Sequence, residues 1–118
     1  MTSDDVQSWL NRYVVAWQSY DPDAIADLFS PDATYGYNPW DDPIRGRSAI
    51  VTWWRDDPDE PGSWEASYRP FMVEGRRALA TGETRYRDGK VYANMFELTF
   101  NDEGRCRTFV EWYMKHPG

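Results

Sequence analysis

The stretch Arg105-Cys-Arg-Thr-Phe-Val-Glu-Trp-Tyr-Met-Lys115 decides the fold. β-Branched and aromatic residues fill it, and the turn Asn101-Asp102-Glu103-Gly104 comes just before it, so it reads as a strand. Residues 78–87 and 90–100 read the same way, and Asp88-Gly89 between them is a hairpin signal. The three form an antiparallel meander whose turns set the register. A two-residue turn puts Arg87 opposite Lys90, and then Arg85 opposite Tyr92, Glu83 opposite Asn94 and Thr81 opposite Phe96. Pairing Phe100 with Arg105 puts Phe96 opposite Phe109, Asn94 opposite Glu111 and Tyr92 opposite Tyr113. The expected result is a row Glu83–Asn94–Glu111 with Arg85, Tyr92 and Tyr113 beside it, because residues two apart share a face.

That row has two possible homes. On the outer face of the sheet it would be a solvated set of paired charges. The same face, however, would carry Leu79, Phe96, Leu98, Phe109 and Tyr113 into water. The row is therefore assigned to the inner face, and the alternate face, with Trp112 and smaller residues, to contact with a second subunit.

Working outward, the chain has 118 residues, enough for one domain over residues 1–118. Its net charge is −7 and its sequence pI about 4.6, which disfavours nucleic acid and anionic membrane surfaces as partners. The single cysteine, Cys106, leaves no internal disulfide and no multi-cysteine zinc site, and the single histidine, His116, lies in a terminal His-Pro-Gly. No metal site is expected. No apolar run is long enough to span a bilayer, so a cytoplasmic location is the expectation. Twenty aromatic residues outnumber fourteen Leu, Ile and Val. Such stiff, amphipathic rings either line a cavity or fill the core and a dimer interface.

From the N-terminus, Thr2-Ser3-Asp4-Asp5 starts a helix, with Val6, Trp9, Leu10, Tyr13, Val14 and Trp17 as its apolar stripe. Asp21-Pro22 starts a second, with Ile25, Leu28 and Phe29 buried, and Ser30-Pro31-Asp32 stops it. Residues 33–37 read as a short strand ended by Asn38-Pro39. A third helix begins near Gly46 and carries Ile50, Trp53 and Trp54, of which only one ring can point inward. Residues 55–63 are a solvated loop, and residues 64–74 a strand. Helices massed on one face of a curved sheet give an α+β architecture.

Arg12-Tyr13-Val14, the Ala-Ile-Ala-Asp-Leu-Phe run ending at Phe29, Pro31-Asp-Ala-Thr34, Gly46-Arg-Ser-Ala-Ile50 and the ending Gly104-Arg-Cys…Glu111-Trp112 resemble the nuclear transport factor two-like superfamily. More narrowly they resemble its SnoaL-like and ketosteroid-isomerase-like members. The resemblance spans nearly the whole chain. It implies a cone-shaped α+β barrel, with three N-terminal helices packed on a curved, mainly antiparallel sheet, that forms a homodimer through its sheet. In the isomerases of this kind a helix-one tyrosine donates to an oxyanion, matched by Tyr13. Their aspartate base falls at Asn38 or Tyr37, and their protonated aspartic acid at Phe96, so ketosteroid isomerisation is not implied. In the epoxide hydrolases a tyrosine, an asparagine and a last-strand carboxylate hold a water; Tyr37 or Tyr35, Asn38 and Glu111 match these. Their Arg-x-Asp pair falls at Leu79 and Thr81.

The combined expectation is a protein that binds a small, largely apolar organic molecule. It is either a cofactor-free acid–base enzyme of cyclase, hydrolase or dehydratase type, or a non-catalytic ligand-binding or dimerisation module. The catalytic candidates are Glu111, Glu83, Asn38 and Tyr13. Trp17, Tyr35, Tyr37, Trp53, Arg85, Tyr92, Asn94, Phe96, Phe109 and Tyr113 are the ligand-binding candidates. Two acids on a half-dry face cannot both ionise cheaply, and a carboxyl held near neutrality is a useful general acid or base.

Overall fold

Helix α1 (Ser3–Ser19) starts at a capping box: Thr2 Oγ1 accepts from the Asp5 amide, and the Asp5 carboxylate accepts from the Thr2 amide. Its stripe of Val6, Trp9, Leu10, Tyr13 and Ala16 is buried. Asp21 caps α2 (Pro22–Leu28), which runs directly into strand β1 (Phe29–Gly36). The helix thus stops at Leu28, ahead of the Ser30-Pro31-Asp32 stretch. β1 absorbs Pro31 through a register shift between Phe29 and Thr34. A two-residue strand that the sequence did not signal, β2 (Ile44–Arg45), pairs with β1. Then come α3 (Arg47–Asp56), β3 (Trp64–Glu74), β4 (Arg77–Tyr86), β5 (Val91–Phe100) and β6 (Cys106–Lys115).

The computed structural model describes residues 1–117. The six strands form one open sheet in the order β2-β1-β6-β5-β4-β3, with β1 and β6 parallel and every other pair antiparallel. α1 packs on β3 and α3 on β1, so the helices cover one face and a tapering hollow remains between the layers. This is the cone-shaped α+β fold that the resemblance implied. Phe96, Phe109, Phe29 and Trp9 are wholly buried beneath the hollow. Tyr35 stacks on Phe109 with ring centroids 4.6 Å apart.

The meander departs from the expected register twice, with opposite consequences. The β4–β5 hairpin closes with three residues rather than two: the Tyr86 amide donates to the Lys90 carbonyl, and Gly89 takes a φ of 96°. That one-step shift pairs Gly82 with Asn94 and Glu83 with Ala93, which turns Glu83 and Arg85 to the outer face and brings Thr84 inward. The β5–β6 pairing shifts by two. Asn101, not Phe100, closes against Arg105, and a bulge separates the Phe100–Cys106 pair from Thr99–Thr108. Two steps preserve parity, so Asn94 and Glu111 remain on the inner face, now as diagonal neighbours.

Gly82 has no positive φ; it is small because Tyr68 lies across it. A Cβ there would meet Ser67 O at 2.1 Å and Tyr68 Cδ1 at 2.6 Å. Gly82→Ala is expected to destabilise the domain by about 2 kcal/mol in urea unfolding, within the usual range for overpacking. A change smaller than about 0.5 kcal/mol would contradict this packing.

Candidate functional site

The hollow is a cavity of about 610 Å³, a size suited to a small organic molecule. α1 supplies Tyr13 and Trp17, and Tyr20 follows at its C-cap. Tyr35 and Tyr37 come from β1 and the residue after it, Trp53 and Trp54 from α3, and Tyr68 from β3. The inner face of the meander adds Thr84, Tyr86, Tyr92, Asn94, Glu111 and Tyr113. Asp56, Asp57 and Asp59 edge the mouth.

A directed hydrogen-bond chain holds Glu111. Asn94 Nδ2 donates to Glu111 Oε2 at 2.8 Å, and Thr84 Oγ1 donates to Asn94 Oδ1 at 2.9 Å. Thr84 has one proton to give, and Asn94 takes it. The 2.6 Å contact between Tyr68 and Thr84 must therefore be a donation from Tyr68. Asn94 and Thr84 are buried and hydrogen-bonded to each other, so the carboxyl is aimed by groups that cannot easily turn. Among the described residues nothing donates to Glu111 Oε1.

Burial pushes the Glu111 carboxyl up to about 7, against the opposing effect of the Asn94 bond, which favours the ionised form. The side chain keeps some accessible surface through the cavity while protein surrounds most of it. Desolvation also raises Tyr13, Tyr35 and Tyr68 well above the usual phenol range, and the Glu111 charge adds to each shift. These hydroxyls therefore remain protonated donors across ordinary pH. Trp54 Nε1 points toward the Tyr35 oxygen without closing a hydrogen bond and is buried without an acceptor.

The structure brings Glu111, Tyr13, Trp17, Tyr35, Tyr37, Trp53, Tyr92, Asn94 and Tyr113 to one cavity. It sets five other candidates apart from it. Glu83 and Arg85 form an exposed 3.0 Å ion pair with each other on the outer face. Asn38 is buried, but its side chain is spent on its own loop: Oδ1 accepts from the Trp40 and Asp41 amides, and Nδ2 donates to Asp41. Phe96 and Phe109 are core beneath the floor rather than lining. Adjacent Trp53 and Trp54 both reach the cavity, contrary to the expectation that only one would. Trp53 stacks on Tyr37 at the rim while Trp54 lies deeper, against Tyr13.

The sequence profile of the SnoaL-like domain matches residues 10–114. The chain belongs to the SnoaL-like domain family. No curated protein matches it. Among solved structures it is similar to an NTF-2 like protein of unknown function from Burkholderia xenovorans LB400, with 21% identity, a TM-score of 0.73 and coverage of 98% of this chain and 89% of that one. It is also similar to a candidate ketosteroid isomerase from Kribbella flavida DSM 17836, with 15% identity, a TM-score of 0.74 and coverage of 98% and 82%. At these identities the likeness is one of fold.

Sequence reasoning missed several lining groups of this SnoaL-like domain. Thr84 and Tyr86 were lost to the one-step register shift, and Tyr68 because no register was read for β3. Tyr20 and Asp59 were lost because the loop after α3 was read as solvated. Instead it straps the mouth: Trp17 Nε1 donates to Tyr20 Oη at 2.9 Å and to Asp59 at 3.1 Å, and the Asp59 amide donates to Tyr20 Oη at 2.9 Å. The one signal available was the density of Tyr, Trp and Asp on both sides of the strap.

Glu111 makes this SnoaL-like domain's stability depend on pH. Its ordinary value is 4.5 and its folded value about 7, so the folded state keeps a proton that the unfolded chain releases. Stability is unaffected below the lower value, falls as pH rises between the two, and is level above the upper one, a loss on the order of 3 kcal/mol. Glu111→Gln lacks this dependence. Its stability relative to the native chain should rise by on the order of 3 kcal/mol between about pH 4 and pH 8 in urea melts. A difference that stays flat over that range would contradict the burial.

Proposed function

We propose that the pocket binds a small organic molecule and that Glu111 acts on it as a general acid or base, without a bound cofactor. The observation that carries this reading is Glu111 itself: a carboxyl oriented by Asn94, its second oxygen accepting from none of the described residues, inside a ring-lined cavity. A group with affinity for protons near neutrality exists in both forms and can take a proton at one step and return it at another. Cyclisations, hydrolyses and dehydrations all have this demand. Tyr13 and Tyr35 would steady an oxygen of the substrate, since burial keeps their protons in place. The same reading places the whole of residues 1–118 in one cytoplasmic domain. It makes that domain a homodimer through the outer face of β5 and β6, where Trp112 and Met114 are exposed.

A second reading, a non-catalytic ligand carrier, draws support from one feature. Besides Glu111 and the well-shielded tyrosines, the depth of the pocket offers no other proton-transfer group among the described residues.

The test begins with capture of ligands on the purified protein and their identification by mass spectrometry, followed by turnover assays on the retained compound. Glu111→Gln should still bind the retained compound while turnover at saturating substrate falls by roughly 10²–10⁴-fold. The native kcat/KM should titrate near pH 7, rising with pH if Glu111 is a base and falling if it is an acid. Unchanged turnover in the glutamine variant contradicts the catalytic role. Retention without conversion by the native protein selects the carrier.

A further inference from the structure

The pocket's charge is one-sided. Four carboxylates line it, Asp56, Asp57, Asp59 and Glu111, and no Lys, Arg or His is among the lining residues. Neighbouring cations are committed elsewhere. Arg55 Nε donates to the Tyr20 carbonyl at 3.1 Å, and Arg87 Nη2 donates to the Gly62 carbonyl at 2.8 Å. Arg85 is on the outer face with Glu83. Lys115, next on the Glu111 face after Tyr113, lies beyond the lining and in the field of Asp88. α3 ends at Asp56, so its negative dipole end adds to the same potential at the mouth. Carboxylate or phosphate groups would enter this space with no counter-charge and lose their water.

The remaining wall is aromatic. Trp17, Trp53, Tyr37, Tyr86, Tyr92 and Tyr113 ring the cavity. Ring faces carry negative partial charge and attract ammonium groups, more strongly when desolvated. Acids at the entrance, rings along the wall and a carboxyl at depth form one gradient favouring positive charge.

We infer that the ligand of this pocket is an organic cation: a protonated amine or quaternary ammonium group on an apolar body. The inference deepens the reading of the hollow as a ligand site and rests on it. The ammonium group would sit among the rings within the field of Glu111 and the Asp rim, and the apolar body against the remaining wall.

The test is a titration of the native protein at low ionic strength, followed by tryptophan fluorescence, with benzyltrimethylammonium, its uncharged carbon isostere neopentylbenzene, and phenylacetate. The cation should bind about tenfold more tightly than the isostere, and phenylacetate more weakly than either. The double variant Asp56→Asn/Asp57→Asn changes two exposed rim residues and should fold normally. It should weaken cation binding about threefold, an effect removed by 0.5 M salt, and leave the isostere unaffected. Equal affinity of cation and isostere, or equal weakening of both in the double variant, overturns the cation inference while leaving the ligand pocket standing. Binding of none of the three probes overturns the inference and the pocket reading together.

Discussion

The hydrogen bond from Asn94 to Glu111 joins the fold to its chemistry. It exists only because β5 and β6 hold both side chains on the inner face, and because Thr84, one strand further out, fixes the orientation of the Asn94 amide. Without that donor the carboxyl would be free to turn toward water at the cavity mouth. With it, the group stays among rings, where its charge is poorly solvated. Two effects then oppose each other: the Asn94 bond favours the anion, and burial disfavours it. Burial wins, and the balance falls at about 7.

The rest of the architecture keeps the hollow open and its contents in place. Wholly buried Trp9, Phe29, Phe96 and Phe109 fill the space below, so the cavity cannot collapse downward. At the mouth, Tyr20 takes a left-handed conformation with a φ of 52°, which disfavours a residue of its size. Its hydroxyl is held by Trp17 and the Asp59 amide, and Trp17 stacks on Trp64 at 3.6 Å. This strap links α1 to the loop after α3 and carries acidic side chains to the entrance. Opening it would break the hydrogen bonds that Asp59 makes with Trp17 and Tyr20, while the left-handed Tyr20 cap, whose amide donates to the Ala16 carbonyl, belongs to α1 itself.

Much of the fold was legible in local chemistry. The Thr2–Asp5 box, the Asp21-Pro22 cap and the periodic stripe of α1 each located a helix, and β3 was read to its ends. The site was legible only where parity survived. Glu111 and Asn94 kept their face because two separate one-residue shifts, at Asn101 and at the bulge beyond Cys106, added to two. Glu83 and Arg85 lost theirs because a single shift came from Gly89, whose positive φ permits a three-residue loop as readily as Asp-Gly suggests a two-residue one. Asn38 failed for another reason: an asparagine before a proline reads equally as a polar site residue and as the organiser of its own turn, and here it is the organiser.

The chemistry of the pocket depends on the protonation of one side chain, which can be observed directly. In protein labelled with ¹³C at glutamate side-chain carbons, the Glu111 carboxyl resonance, assigned by its loss in Glu111→Gln, should titrate with a midpoint of about 7. A midpoint near 4.5, the ordinary glutamate value, would mean that Glu111 is solvated as any surface acid is and that the pocket does not hold it near neutrality.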